Sequence, residues 1–231
     1  IYGIFPMIVG SLYVTAGAII IGVPIGILTA VFMAFYCPKA IYRPLKMATE
    51  LLVGIPSVVY GFFGLVVLVP WVREIGRSLH RGGNGSSMIT ASILLGMMIL
   101  PTIIGLTESA LRAVPTQYYE GAVALGGTHE RAIFTVVLPA AKSGVVAAIV
   151  LGIGRAIGET MAVIMVAGNQ PRMPRGIFQG VRTLTANIVI EMGYASGLHR
   201  EALIATGVVL FVFILLLNFC VALLNRGKNH E

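Results

Sequence analysis

The sequence predicts an all-α polytopic membrane protein with a single domain over residues 1–231. Two observations carry this reading. Hydrophobic residues make up 57% of the chain and charged residues 11%, where a soluble domain has about a quarter charged. The apolar residues also gather into five runs, each at least the roughly 20 residues that a helix needs to cross a bilayer. The net charge of +7 suits anionic lipid or an anionic solute. Nucleic acid is not expected, because the basic residues are scattered between apolar runs and form no single basic face.

The first run, 7–36, is long. Gly22-Val23-Pro24-Ile25-Gly26 interrupts it, with Pro24 predicting a kink and the two glycines a closely packed neighbour. Residues 37–50 read as a short basic connection with Lys39, Arg43 and Lys46. The second run, 51–72, is broken near its start by Gly54-Ile55-Pro56 and ends at Trp71, a residue suited to the membrane interface. A polar, glycine-rich connection, 73–87, leads to the third run, 88–111, with Pro101 inside and Glu108 near its end. The fourth run is 140–167. Residues 168–201 form the longest connection, with a modestly amphipathic stretch at 181–192. The fifth run is 202–224, followed by a polar tail. The chain opens beside an apolar run without an initiator Met, which predicts residues upstream.

Between the third and fourth runs lies a polar island, 117–139, holding Glu120, His129, Glu130 and Arg131. Val123, Leu125, Ala132, Ile133 and Val136 give it a helix-like stripe, and Gly126-Gly127 divides it. This pattern predicts two short helices joined at the glycine pair and lying at a membrane surface. An ordinary interfacial helix has the same pattern.

Charges near the middle of a run occur only in the fourth, at Arg155 and Glu159. Read as one helix, the pair is four residues apart and shares a face. Charge at that depth costs several kcal/mol unless it is paired or wetted. The pair therefore reads either as an ion pair locking two helices or as a solute path, with Arg155 offering its guanidinium to an oxyanion. Glu159 would then hold Arg155 or touch the solute, and Thr160 would add a hydroxyl.

Placing the island on one side puts Lys39, Arg43, Lys46, Arg112, Arg131, Lys142, Arg226 and Lys228 with it. Arg73, Arg77, Arg81, Arg172, Arg175, Arg182 and Arg200 fall on the other. Eight against seven leaves the positive-inside rule without a vote. The far side is purely arginine, the residue whose planar fork binds oxyanions. Arg172, Arg175 and Arg182 are thus candidates for gathering anions, or for docking an acidic partner or lipid head groups.

Glu120, Gly121, Ala122, Gly126, Leu138 and Pro139 carry a resemblance. Their spacing is similar to the cytoplasmic motif of binding-protein-dependent ABC importer permeases: Glu-Ala-Ala, three residues, Gly, nine residues, Ile, one residue, Leu-Pro. Gly121 and Val136 stand where that motif has Ala and Ile. Residues 154–169, GRAIGETMAVIMVAGN, resemble the permeases of bacterial phosphate importers, and so do LLVGIPSVVYGFFGL and VRTLTANIVIEMGYA. Met161-Ala162-Val163 follows Glu159-Thr160, where the PstA-type subunit typically continues Ala-Pro, so the PstC type is the better match. The resemblance implies a type I importer permease fold in the bacterial inner membrane, with 116–139 as the coupling loop. It also implies one further N-terminal span, a PstA-like second permease, an ATPase dimer and an extracytoplasmic phosphate-binding protein. Other oxyanions (molybdate, sulfate, phosphonate) fit the same loop.

No cofactor is expected in this chain, and ATP would be bound by the partner subunit. Gly227-Lys228 lacks the upstream glycine and following Ser or Thr of a phosphate loop. Cys37 and Cys220 are far apart and read as free, with no metal spacing. An intramembrane enzyme would need a base or metal ligands at membrane depth, yet all four histidines fall in connections or the tail. A non-transporting scaffold would leave Arg155 and Glu159 unexplained.

Overall fold

The computed structural model describes residues 3–80 and 82–226, with side chains as far as residue 216 and at Phe219. Arg81, Lys228, His230 and the side chains of Cys220 and Arg226 lie outside the described residues. Those described fold into ten helices: α1 Phe5–Tyr36, α2 Lys39–Gly54, α3 Ser57–Ser78, α4 Met88–Arg112, α5 Thr116–Ala124, α6 His129–Ala140, α7 Lys142–Gly158, α8 Met161–Val166, α9 Leu184–Met192 and α10 Leu198–Arg226. Among them, α1, α3, α4 and α10 are long and apolar enough to cross a membrane, and α6 with α7 forms a fifth candidate bent by 69°. No β-strand occurs among the described residues, only an isolated bridge between Gly168 and Val181.

The bundle is built around α4. Leu94, Leu95, Met98, Ile99, Ile103 and Leu111 of this helix are almost fully buried. α1 lies parallel against it, and the expected glycines make the contact. A Cβ at Gly22 would come within 2.9 Å of Gly96 O and Ile99, and one at Gly26 within 2.7 Å of Ile103. Such close approach is how helices associate where lipid offers no hydrophobic drive between them. α1 runs through Pro24 without a break. α7 packs antiparallel on α4, with Gly152 against Ile103 and Ile99.

Three segments differ from the sequence reading. Residues 37–50 are not a short connection. They begin the 16-residue helix α2, none of whose residues is buried. The second crossing therefore starts at Ser57 and runs on to Ser78, because Gly54-Ile55-Pro56 stops one helix and starts another. Residues 168–201 are not merely a connection, since they contain α9, whose Leu184, Thr185, Ala186 and Asn187 are buried. Thr183 caps it by accepting from Ala186 N, and Leu184 N donates to Ser11 Oγ of α1. The fourth run is two helices, α7 and α8, described below.

Glu108 has a larger role than its place near a helix end suggests. It is 2% exposed and ties α2 to α4. Tyr42 Oη donates to its Oε1 at 2.7 Å, Lys46 Nζ to Oε2 at 2.9 Å and Arg112 Nε to Oε1 at 2.9 Å. Arg112 also stacks over the Tyr42 ring at 5.0 Å and donates to Met33 O at the end of α1. The buried carboxylate thus joins α2 to α4, and Arg112 carries the link on to α1. Its bond holds the Lys46 ammonium above the usual lysine range. The stabilisation from Lys46 is then complete at neutral pH and is lost only as pH rises through that elevated value. Glu108→Gln is expected to cost about 2–3 kcal/mol, because Lys46 and Arg112 lose their counter-charge but keep partial access to water. Thermal unfolding in detergent measures the loss, and faster amide exchange over residues 39–54 locates it.

Candidate functional site: the helix break at Glu159

α7 ends at Gly158, and Glu159 adopts an extended backbone, φ −69° and ψ 127°. Without a continuous helix, Arg155 and Glu159 do not share a face, and among the described residues they form no ion pair. The expected locking pair is therefore absent. Glu159 instead turns toward the next helix. Its Oε1 accepts from Thr160 N and Ala162 N, both at 3.1 Å, and so satisfies backbone donors at the start of α8. Thr185 Oγ1 donates to Glu159 O at 3.2 Å, so the start of α9 reaches the break from the far end of the bundle. Thr160 Oγ1 donates back to Gly158 O.

Arg155, half-buried in the last turn of α7, donates from Nη1 to Thr102 Oγ1 of α4 at 3.2 Å. That is its one described hydrogen bond. A guanidinium has five N–H donors in a planar fork, so most of this fork is available to an oxyanion. Glu159 Oε2 is likewise unengaged among the described residues. The Arg155 guanidinium thus sits beside half-buried Thr102 in the last turn of α7, and the Glu159 carboxylate and Thr160 hydroxyl follow it at the break. Sequence reasoning missed Thr102 and Thr185. The break itself had a signal: Gly158 ends a helix readily and Glu-Thr starts one.

The far-side arginines divide. Arg172 and Arg175 are exposed, and Arg172 donates only to Gln170. Arg182 is half-buried and committed, donating to Asn169 O, Asn187 Oδ1 and, at 2.7 Å, Glu191 Oε1. It braces α9 and is not a free anion-gathering residue, which corrects the expectation from charge alone.

The island folds as two short helices around a turn. Gly126 has φ +85°, a conformation that side chains disfavour. Thr128 caps α6 by accepting from Arg131 N. Its apolar stripe divides between two surroundings: Ala132 and Ile133 pack into the core, whereas Leu125 is 91% exposed. Glu120, Gly121 and Pro139 are exposed, and Ala122 and Leu138 half-buried. Tyr118, Val123 and Leu125 all leave apolar side chains exposed on this loop.

A model of the family described as "Binding-protein-dependent transport system inner membrane component" matches residues 22–230. The chain belongs to this family. Relatives agree. It is 41% identical to a probable ABC transporter permease protein, YqgH, of Bacillus subtilis, over 94% of this chain and 71% of the relative. It is 36% identical to the phosphate transport system permease protein PstC of Mesorhizobium japonicum, with the same coverage, and 37% identical to that of Pasteurella multocida, over 91% and 71%. The fold is that of type I ABC importer permeases. A chain of the inward-facing MetNI methionine ABC transporter superposes with TM-score 0.67 at 21% identity, covering 97% of this permease and 94% of that chain. An amino acid ABC transporter gives 0.61 at 19%, covering 95% and 91%. The permease is an inner-membrane protein.

The capping role of Glu159 is separable by substitution. Gln keeps an acceptor oxygen, whereas Ala keeps none. Glu159→Ala is expected to lower stability by about 1–2 kcal/mol and Glu159→Gln by a small fraction of that, read as thermal unfolding in detergent.

Proposed function

We propose that this permease carries inorganic phosphate inward through the break at Glu159, with energy from ATP hydrolysed by a separate subunit dimer docked on residues 116–139. The observation that carries the reading is the Arg155 fork, held at a helix break by Thr102 and free of any described carboxylate. Broken helices with ionisable groups at membrane depth are a recurring form of transporter binding site. The PstC relatives supply the solute. The remaining partners in this reading are a PstA-like permease and an extracytoplasmic phosphate-binding protein. Exposed Arg172 and Arg175 would face that protein, with the coupling loop in the cytoplasm.

The chemistry of the break favours phosphate over sulfate. Near neutral pH phosphate keeps at least one proton and sulfate keeps none. Arg155 binds either anion and discriminates little. Glu159 Oε2 accepts a hydrogen bond from protonated phosphate, whereas a sulfate oxygen offers it no proton. A site built to pair a substrate proton rejects an analogue lacking it.

Vesicles holding the full set of subunits, supplied in turn with phosphate, sulfate and molybdate, test the solute. Phosphate is expected to be taken up fastest; preferred uptake of sulfate or molybdate would reassign the permease to that oxyanion. Arg155→Gln is expected to abolish uptake while the protein still inserts and retains the ATPase. In a background where the ATPase runs without the binding protein, Glu159→Gln is expected to keep some phosphate uptake and raise the share of sulfate. An unchanged ratio would leave Glu159 with its capping role only.

The coupling assignment has its own test. Gly126→Val forces a β-branched side chain into a left-handed turn, at about 1–2 kcal/mol or more. The variant is expected to insert, to lose most of the co-purifying ATPase and to import little.

A further inference from the structure

The coupling loop is held to the inner end of α1 by a cluster that the proposed path does not use. His129, the half-buried first residue of α6, has its Nδ1 2.8 Å from Tyr119 Oη on α5. The two rings meet edge-on, with centroids 5.6 Å apart. On the other side the His129 ring meets Tyr36, the last residue of α1, edge-on at 5.1 Å. Only here does a ring of α1 touch the loop helices among the described aromatic contacts. Beside it, Ala30 and Val31 of α1, Leu111 of α4 and Ile133 and Val137 of α6 share one buried apolar cluster, and an open groove of about 360 Å³ lies between Phe35 of α1, Leu111 and Arg112 of α4, and Tyr119 and His129 of the loop.

The helix ends joined by this cluster are unusual. α1 finishes in a π-helical turn, Phe32–Tyr36, and α6 enters another, Ile133–Val137, directly after its first turn. A π turn is a rare departure from the α-helical ladder and gathers at functional sites. The Arg112 bond to Met33 O ties the same turn of α1 to the root of the loop. The two irregular turns leave the loop and α1 joined there by the apolar cluster, which carries no directional bond. The His129 ring adds an oriented link between the two, bonded to Tyr119 and seated on Tyr36.

We propose that His129 is a positioning residue for coupling. Its ring, fixed by Tyr119 and seated on Tyr36, makes the loop and the inner end of α1 move together, so that displacement of the loop by the ATPase reaches the first span. This rests on the loop docking on an ATPase, as proposed above.

The experiment uses the full set of subunits in vesicles. It records the ATPase that co-purifies and the radiolabelled phosphate imported per ATP hydrolysed. His129→Ala and Tyr36→Leu are each expected to keep the ATPase bound and to lower phosphate per ATP by about tenfold, within the usual range of coupling energies between sites. Tyr119→Phe keeps the ring contact, loses only the hydrogen bond and should fall between these and the unsubstituted protein. The double variant His129→Ala/Tyr36→Leu is expected to be no worse than either single one, because both break the same link. Unchanged phosphate per ATP in His129→Ala overturns the proposal, as do factors that multiply in the double variant. Loss of bound ATPase in His129→Ala also overturns it, since His129 would then be shaping the docking surface. If the unsubstituted permease retains no ATPase, the docking reading fails first, and that result is distinct from all of these.

Discussion

A bilayer offers no water to a broken backbone, and the structure turns on how one break is made tolerable. At Gly158-Glu159 the helical ladder stops in the middle of an apolar stretch. The Glu159 carboxylate satisfies two N–H groups on one side, and the Thr185 hydroxyl meets the Glu159 carbonyl. Thr185 can do so only because α9 is buried, and α9 is held in place by the Ser11 hydroxyl of α1 and by Arg182 with Glu191. The break therefore recruits α1, α8 and α9 into one arrangement. It also frees Arg155, which a continuous helix would have aligned with the carboxylate.

Two other acids serve the bundle at its opposite ends. Glu108 gathers Tyr42, Lys46 and Arg112, and Glu191 holds Arg182, with His199 4.0 Å from its second oxygen. The first joins exposed α2 to spanning α4, and the second lies between buried α9 and spanning α10. Neither pair is strongly stabilising in itself, because removing two charges from water offsets much of their attraction. What they confer is placement: α2 is fixed against α4 near the loop, and α9 against α10 at the far end.

The sequence made local features legible and left distant ones hidden. The apolar runs, the α1 glycines and the turn at Gly126 depend on residues near one another in the chain, and each was expected. The partners of Glu108 lie 62 and 66 residues away for Lys46 and Tyr42, so no pattern within one run could reveal them. Arg182 looked free because Glu191 reaches it only across the cap of α9. The break at Glu159 was written in Gly158-Glu159-Thr160, yet the unbroken hydrophobicity on both sides read as one span. Hydrophobicity reports where a residue sits in the bilayer and says nothing about whether the ladder continues. The aromatic seat of His129 combines both difficulties, since Tyr119 is ten residues away and Tyr36 belongs to another span.

The contact between α1 and α4 has a mechanical consequence. Gly22 and Gly26 leave no room between the two helices, and interiors packed so tightly do not deform smoothly. Sliding one helix past the other would drive the Ile99 and Ile103 side chains into backbone. The pair therefore resists sliding and moves as one strut. Alternation of the proposed path between the two faces of the membrane would then fall to the joints around this pair: the bend at Ala141, the gap after Gly158 and the π-helical turns. An importer of this design would work as a rigid frame with a few hinges.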